Sequence, residues 1–259
     1  MKKNILLENY PNKEKYKILN ILGQGAFGTV YKVINIDDNK HYVIKKIVIK
    51  DANKEELDKI KNESKILSLL DNKYIVKYYE SFYSKDSFNI VMEYCELFDL
   101  RKFIKNQNGK LIDKNIVYNF ILEICLGLEE IHSKNLIHRD LKPDNIFLTK
   151  ERQLKIGDFG ISKQINNINE YAKTQVGTLS YMAPEIIKGE FYNNKVDIWS
   201  LGCIIYELCT LDYCFKSNSI AQLISNINNP KPGKIDSKEY GIWLQNLIDS
   251  LLIKDKKKG

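Results

Sequence analysis

A change of hydrophobic period near Asp99 constrains this chain more than any other feature. Before it, YKILNILGQG (16–25), GTVYKVINID (28–37), KHYVIKKIVI (40–49), KYYESFY (77–83) and FNIVMEY (88–94) alternate or cluster β-branched and aromatic residues between glycine and Asp-Asp-Asn turn signals. That is the pattern of strands. One helix interrupts them: Asn53 is a good N-cap with Glu56 as its capping-box partner, and Leu57, Ile60, Leu67 and Leu70 follow at helical spacing. After Asp99, apolar-periodic segments at Ile116 to His132, Val196 to Cys209 and Ser219 to Ile227 predict helices. Strands first and helices afterwards give an α+β fold. We expect a small β-rich lobe with one main helix (about 1–94), a connection (about 93–98) and a larger, mainly helical lobe (about 99–259), with a ligand cleft between the lobes.

A length of 259 residues suits one such two-lobed unit, 1–259, rather than several domains. The net charge of +7 is spread along the chain without a dense basic stripe, so no nucleic-acid role is expected. The compact basic run Lys254 to Lys258 reads as a solvated tail. Five cysteines, an odd number without a C-x-x-C pair, point to thiols in a reducing, cytoplasmic setting, with cytoskeletal association or the nucleus as alternatives. No apolar run approaches the ~20 residues of a membrane span, so no membrane insertion is expected. Nothing here indicates an oligomeric state.

Gly23-Gln24-Gly25-Ala26-Phe27-Gly28-Thr29-Val30 spaces three glycines between two strand segments. Glycine lets the backbone approach phosphate oxygens closely, although a plain hairpin turn uses glycine as well. A dinucleotide-binding oxidoreductase would need these glycines to open a helix, whereas TVYKVINI after Gly28 is strand-like. Lys45 lies on the strand HYVIKKI, on the face it shares with Val43 and Ile47, and is read as aimed toward an apolar side. Ile60, Glu63 and Leu67 share one helical face, which puts a carboxylate among core-facing residues. Such a carboxylate needs a partner, and Lys45 is the candidate.

Ile137-His138-Arg139-Asp140-Leu141-Lys142-Pro143-Asp144-Asn145-Ile146, then Ile156-Gly157-Asp158-Phe159-Gly160, then Met182-Ala183-Pro184-Glu185 resemble the signatures of eukaryotic protein kinases. Val196-Asp197-Ile198-Trp199-Ser200-Leu201-Gly202 is similar to that family's D-x-W-S-x-G helix. ESFYSKDSFNIVMEYCE, NNKVDIWSLGCIIYELCTL and FLTK resemble the NIMA-related serine/threonine kinases. The resemblance implies a two-lobed protein kinase fold that transfers the γ-phosphoryl of Mg²⁺-ATP to Ser or Thr hydroxyls of protein substrates. By carry-over, Asp140 orients the acceptor hydroxyl, Lys142 steadies the γ-phosphate, and Asn145 and Asp158 are the magnesium ligands. Lys45, paired with Glu63, holds the α- and β-phosphates.

The nucleotide would further touch Leu22, Gly23, Gly25, Gly28, Val30, Val43, Met92, Glu93, Cys95, Asp99 and Phe147. Asp197 is expected to anchor the catalytic loop, Thr174 to be a regulatory phosphorylation site read by Arg139, and Thr178 to hydrogen-bond the catalytic aspartate. Lys142 within HRDLKPDN resembles the serine/threonine class, which implies an alcohol rather than a phenol as acceptor, and a β-branched residue at the position of Ile161 implies, by the same resemblance, threonine over serine. The last residues, LLIKDKKKG, put Gly259 where the family carries an arginine that pairs with the position of Glu185, so either a fragment of a longer protein or a truncated gene product, with a less stable helical lobe, is expected. The alternative is a nucleotide-binding pseudokinase or scaffold, against which Lys45, Asp140 and Asp158 are all present.

Overall fold

The five strand segments read from the sequence form one antiparallel sheet: β1 (Tyr16–Gly25), β2 (Gly28–Asn35), β3 (His41–Val48), β4 (Tyr78–Ser84) and β5 (Ser87–Glu93), in the order β1-β2-β3-β5-β4. The computed structural model describes residues 15–25, 28–50, 52–84, 86–158 and 176–253, and the side chains of Lys59, Glu63, Val176 and Gly177 lie outside that description. Two units divide at Glu96 and Leu97, inside the expected connection.

In the first unit, Tyr16, Val33, Tyr42, Ile44 and Val91 make a buried cluster, with Ile18, Tyr31 and Phe82 packed against it. β1 and β4 are the outer strands, yet Glu80 on β4 accepts from Lys15 Nζ and from Tyr16 OH, both at 2.6 Å. The sheet therefore curls until its edges are bridged, and the Tyr42 ring sits edge-on between Tyr16 and Tyr79, at 5.9 and 4.9 Å. Tyr42 and Ile44 are the fully buried residues of β3, so Val43, Lys45 and Ile47 lie on its other, half-buried face. Side chains alternate along a strand, and the larger aromatic cluster claims the interior.

The helix α1 (Lys54–Ser68) starts as the sequence indicates: Asn53 Oδ1 accepts from Glu56 N at 3.0 Å, and Glu56 Oε2 accepts from Asn53 N at 2.9 Å. Leu67 and Leu70 are buried, whereas Leu57 and Ile60 are half-buried. Ser64, buried beside Glu63 in the chain, donates to Ser81 Oγ at 2.9 Å, and Tyr78 OH donates to the same oxygen at 2.9 Å. This hydroxyl cluster docks α1 on β4.

The second unit contains α2 (Leu100–Lys105), α3 (Lys114–Ser133), a 3-10 turn (Pro143–Asn145), β6 (Ile146–Leu148), β7 (Leu154–Ile156), α4 (Val176–Leu179), α5 (Pro184–Ile187), α6 (Lys195–Thr210), α7 (Ile220–Asn228), α8 (Ser237–Tyr240) and α9 (Ile242–Leu251). The three long periodic segments are α3, α6 and α7, with Ser219 as the N-cap of α7. α6 is buried over most of its length because it is the hub of the unit. A Cβ on Gly202 would lie 3.0 Å from both Leu251 Cβ and Leu252 Cδ2, so the glycine is what lets α9 pack so closely. None of the helices described is long and apolar enough to cross a membrane.

Gly28 has φ +130 and a Cβ there would fall 1.9 Å from the Lys46 carbonyl oxygen, while Gly23 and Gly25 face nothing within 4 Å among the described residues. Gly28→Ala is expected to cost at least ~1–3 kcal/mol, with Gly23→Ala and Gly25→Ala under ~1 kcal/mol, as read by thermal melts. At Glu80, burial pushes the carboxyl up, but the bonds from Lys15 and Tyr16 outweigh it and hold it below its ordinary value of 4.5. A depressed carboxyl stabilises the fold above that value and loses its effect as pH falls through the folded one. Glu80→Gln should therefore melt lower than wild type at pH 7, with the gap closing as the buffer is taken below about 4.5.

Candidate active site

The HRD segment turns on a single buried carboxylate. Asp197, in the first turn of α6 and 1% exposed, accepts from His138 N and Arg139 N, both at 2.9 Å, and from His132 Nε2 at 2.8 Å. It thereby holds Arg139 at φ 69, a backbone conformation that a non-glycine residue adopts only when its surroundings impose it. The anchoring role expected of Asp197 is met.

Beyond that anchor, the chain folds back on itself. Asn145 Nδ2 donates to the Asp140 carbonyl at 2.7 Å and to Asp140 Oδ2 at 3.1 Å. Lys142 Nζ lies 3.1 Å from Asp140 Oδ2 and donates to Thr178 Oγ1 at 3.3 Å, so the lysine stands between the threonine and the aspartate. Asp140, Lys142, Asn145 and Thr178 are all buried. The β6–β7 hairpin pairs Ile146 with Ile156, and Gly157 N donates to Asn145 O at 2.9 Å. Asn145 and Asp158 are thus brought to the same end of the hairpin. His138 Nε2 donates to the Gly157 carbonyl at 3.0 Å, and Asp158 is exposed, with φ 50. With its NH₂ bonded to Asp140, Asn145 has Oδ1 to offer, and with the Asp158 carboxylate this makes a set of hard oxygen donors. Such a set fits Mg²⁺, which takes few protein ligands and completes its shell with water and phosphate.

In the first unit, the sheet register makes one rung of Gly23, Val30, Lys45 and Ile90, and two residues along, on the same face, another rung joins Lys32, Val43 and Met92. Leu22 lies at an irregularity of β1 and is exposed. Glu93 is held by Lys77: Glu93 N donates to Lys77 O at 2.9 Å and Lys77 N donates to Glu93 Oε2 at 3.1 Å. Cys95 is half-buried. In the second unit, Asp99 and Phe147 are bridge partners, and Asp99 Oδ1 accepts from Lys102 N at 2.8 Å as the N-cap of α2. The Glu63 side chain, Phe159, Gly160, Ile161, Thr174 and Gly259 lie outside the described residues, and the Lys45–Glu63 pairing with them.

The residues from Tyr16 to Lys258 match the family described as Protein kinase domain. The chain belongs to that family. Among curated relatives, this kinase domain is 40% identical over 238 residues to serine/threonine-protein kinase Nek1 of Mus musculus, covering 92% of the chain and 20% of the relative. It is 42% identical over 215 residues to Nek5 of Homo sapiens, with 83% and 30% covered. It is 37% identical over 251 residues to probable serine/threonine-protein kinase nek2 of Dictyostelium discoideum, with 94% and 60% covered. The chain thus spans between a fifth and three fifths of the length of these relatives. It is a protein kinase domain with the α+β, two-unit fold of that family, similar over most of its length to these Nek serine/threonine-protein kinases, and kinases of this family generally use ATP and Mg²⁺.

The kinase motif D-x-W-S-x-G now has a physical reading at each position. Asp197 anchors the HRD segment, Trp199 stacks on Phe215 at 5.6 Å, Ser200 Oγ donates to the Tyr181 carbonyl at 2.8 Å, and Gly202 admits α9. Sequence reasoning missed Arg101, Tyr181 and Glu207, which meet in one buried cluster. The available signal was a lone glutamate inside the apolar run CIIYELCT. Cys209 on α6 is no nucleophile, since burial pushes its thiol up to about 12.

Asp197→Asn should strand one of the two backbone donors against an NH₂ group, costing ~1–3 kcal/mol. A thermal melt should read that loss, and it should be accompanied by lower activity because the HRD segment loses its anchor.

Proposed function

We propose that the chain is the catalytic part of a protein serine/threonine kinase that moves the γ-phosphoryl of Mg²⁺-ATP to Ser or Thr hydroxyls of protein substrates. The observation that carries this reading is the convergence of Lys142, Asn145 and Thr178 on Asp140. Phosphoryl transfer asks little covalent chemistry of a protein and much positioning, and a buried, cross-bonded carboxylate is a positioned one.

Asp140 would accept or orient the hydroxyl proton, and the Lys142 ammonium beside it would offset charge on the transferred group. Asn145 Oδ1 and the Asp158 carboxylate would hold magnesium, which, when bound, offsets negative charge on the phosphate oxygens. Lys45, with Glu63, would hold the α- and β-phosphates. The open backbone at Gly23 and Gly25 leaves room for phosphate, and Val30, Val43 and Met92 would meet the purine. Leu22, Gly28, Glu93, Cys95, Asp99 and Phe147 complete the proposed nucleotide contacts, Gly28 through its backbone, at a position that only glycine fits.

Regulation by phosphorylation of Thr174 belongs to the same proposal, as does a cytoplasmic setting, favoured by the odd number of cysteines. The pseudokinase reading is not favoured, since Lys45, Asp140 and Asp158 are all retained.

Radiolabelled phosphate transfer to casein is the test. Wild type should label the acceptor, and phosphoamino-acid analysis should find the label on serine and threonine and not on tyrosine. Asp158→Ala or Asp140→Asn should lower the rate by at least about a hundredfold at unchanged fold. Transfer equal to wild type in Asp158→Ala would refute the assignment.

A further inference from the structure

Arg101 opens α2, and its side chain is only 11% exposed, which is rare for a cation. Every edge of its guanidinium is used. Nη1 donates to Glu207 Oε1, Nη2 donates to Tyr181 OH, and Nε donates to Asp144 Oδ2 at 3.4 Å. The rings of Tyr213 and Tyr181 lie 5.0 and 5.5 Å from its central carbon. Tyr181 OH donates in turn to Glu207 Oε2, which closes a ring of three side chains. Burial pushes the Glu207 carboxyl up, opposed by Arg101 and by the Tyr181 hydroxyl.

These partners belong to four separate segments. Asp144 sits in the 3-10 turn between Lys142 and Asn145, Tyr181 follows Thr178 by three residues, Glu207 is on α6, and Tyr213 is in the loop beyond it. Two of them lead to the same place. Asn145, next to Asp144, is bonded to Asp140, and Tyr181 N donates to Thr178 O at 3.4 Å, whose Oγ1 accepts from Lys142. We propose that Arg101 is a positioning residue for the acceptor half of the transfer, tying the Pro143–Asn145 turn and the Thr178–Tyr181 stretch to α6 so that Asp140, Lys142 and Thr178 meet the incoming hydroxyl in register.

The inference rests on the kinase reading above and adds a residue that the motifs do not name. Lysine cannot replace this arginine, because a point charge lacks the planar fork that serves three acceptors and the flat face that stacks on two tyrosines.

Steady-state kinetics of the chain, with casein and ATP varied separately, tests it alongside thermal melts. Arg101→Lys should lower kcat/KM for casein between about ten- and a hundredfold while KM for ATP stays within about twofold. Tyr213→Leu, which removes a stacking face and leaves the ion pair, should show the same asymmetry at about threefold. Adding Glu207→Gln to Arg101→Met should recover part of the loss, since it removes the stranded buried charge. If Arg101→Met does not fold, Arg101→Lys and Tyr213→Leu decide the matter. Unchanged casein kinetics in both, or losses that fall equally on both substrates and track the folded fraction, would overturn the proposal while an active wild type leaves the kinase reading standing. A wild type without transfer would overturn both.

Discussion

The Asp197 carboxylate is the contact on which the second unit's chemistry depends. A buried charge is costly unless its lone pairs are filled, and here two consecutive backbone amides and an imidazole fill them. The same bonds leave the HRD backbone little freedom to relax. Arg139 is held in a left-handed conformation, His138 is turned to meet Gly157, and the next residues deliver Asp140 to Lys142 and Asn145. Stabilising the hub helix and shaping the catalytic loop are one event.

The first unit solves a different problem. Its proposed nucleotide residues, Cys95 aside, come from four strands, and the antiparallel register aligns them. At Gly28, where β2 begins, the backbone approaches the Lys46 carbonyl too closely for any side chain. The three glycines of one motif thus divide their labour: one is demanded by the protein itself, and the other two leave space open among the described residues.

Strand and helix segments were legible because period and capping are local properties. The Asn53–Glu56 box and the three periodic segments that form α3, α6 and α7 could be placed from neighbours a few residues apart. The catalytic loop was legible through motif order, and its anchor at Asp197 through the family pattern. What stayed hidden depends on residues far apart in the chain. Alternation predicts that β3 has two faces but not which is buried, and that choice fell to Tyr42 through its packing with Tyr16 and Tyr79. Arg101 and Glu207 are separated by 106 positions, and no periodicity links them. Asp99 is expected to touch the nucleotide, and that it also caps α2 is visible only with the Lys102 amide beside it.

The bridge at Glu80 carries a consequence for how this domain comes into being. The carboxylate that secures Tyr16 is made 64 residues after it. On a growing polypeptide the opening strand must wait, and closing so long a loop is entropically slow. The N-terminal unit is thus one whose beginning is fastened near its end, a late step that leaves the nascent first hairpin to the mercy of its surroundings until β4 has been synthesised.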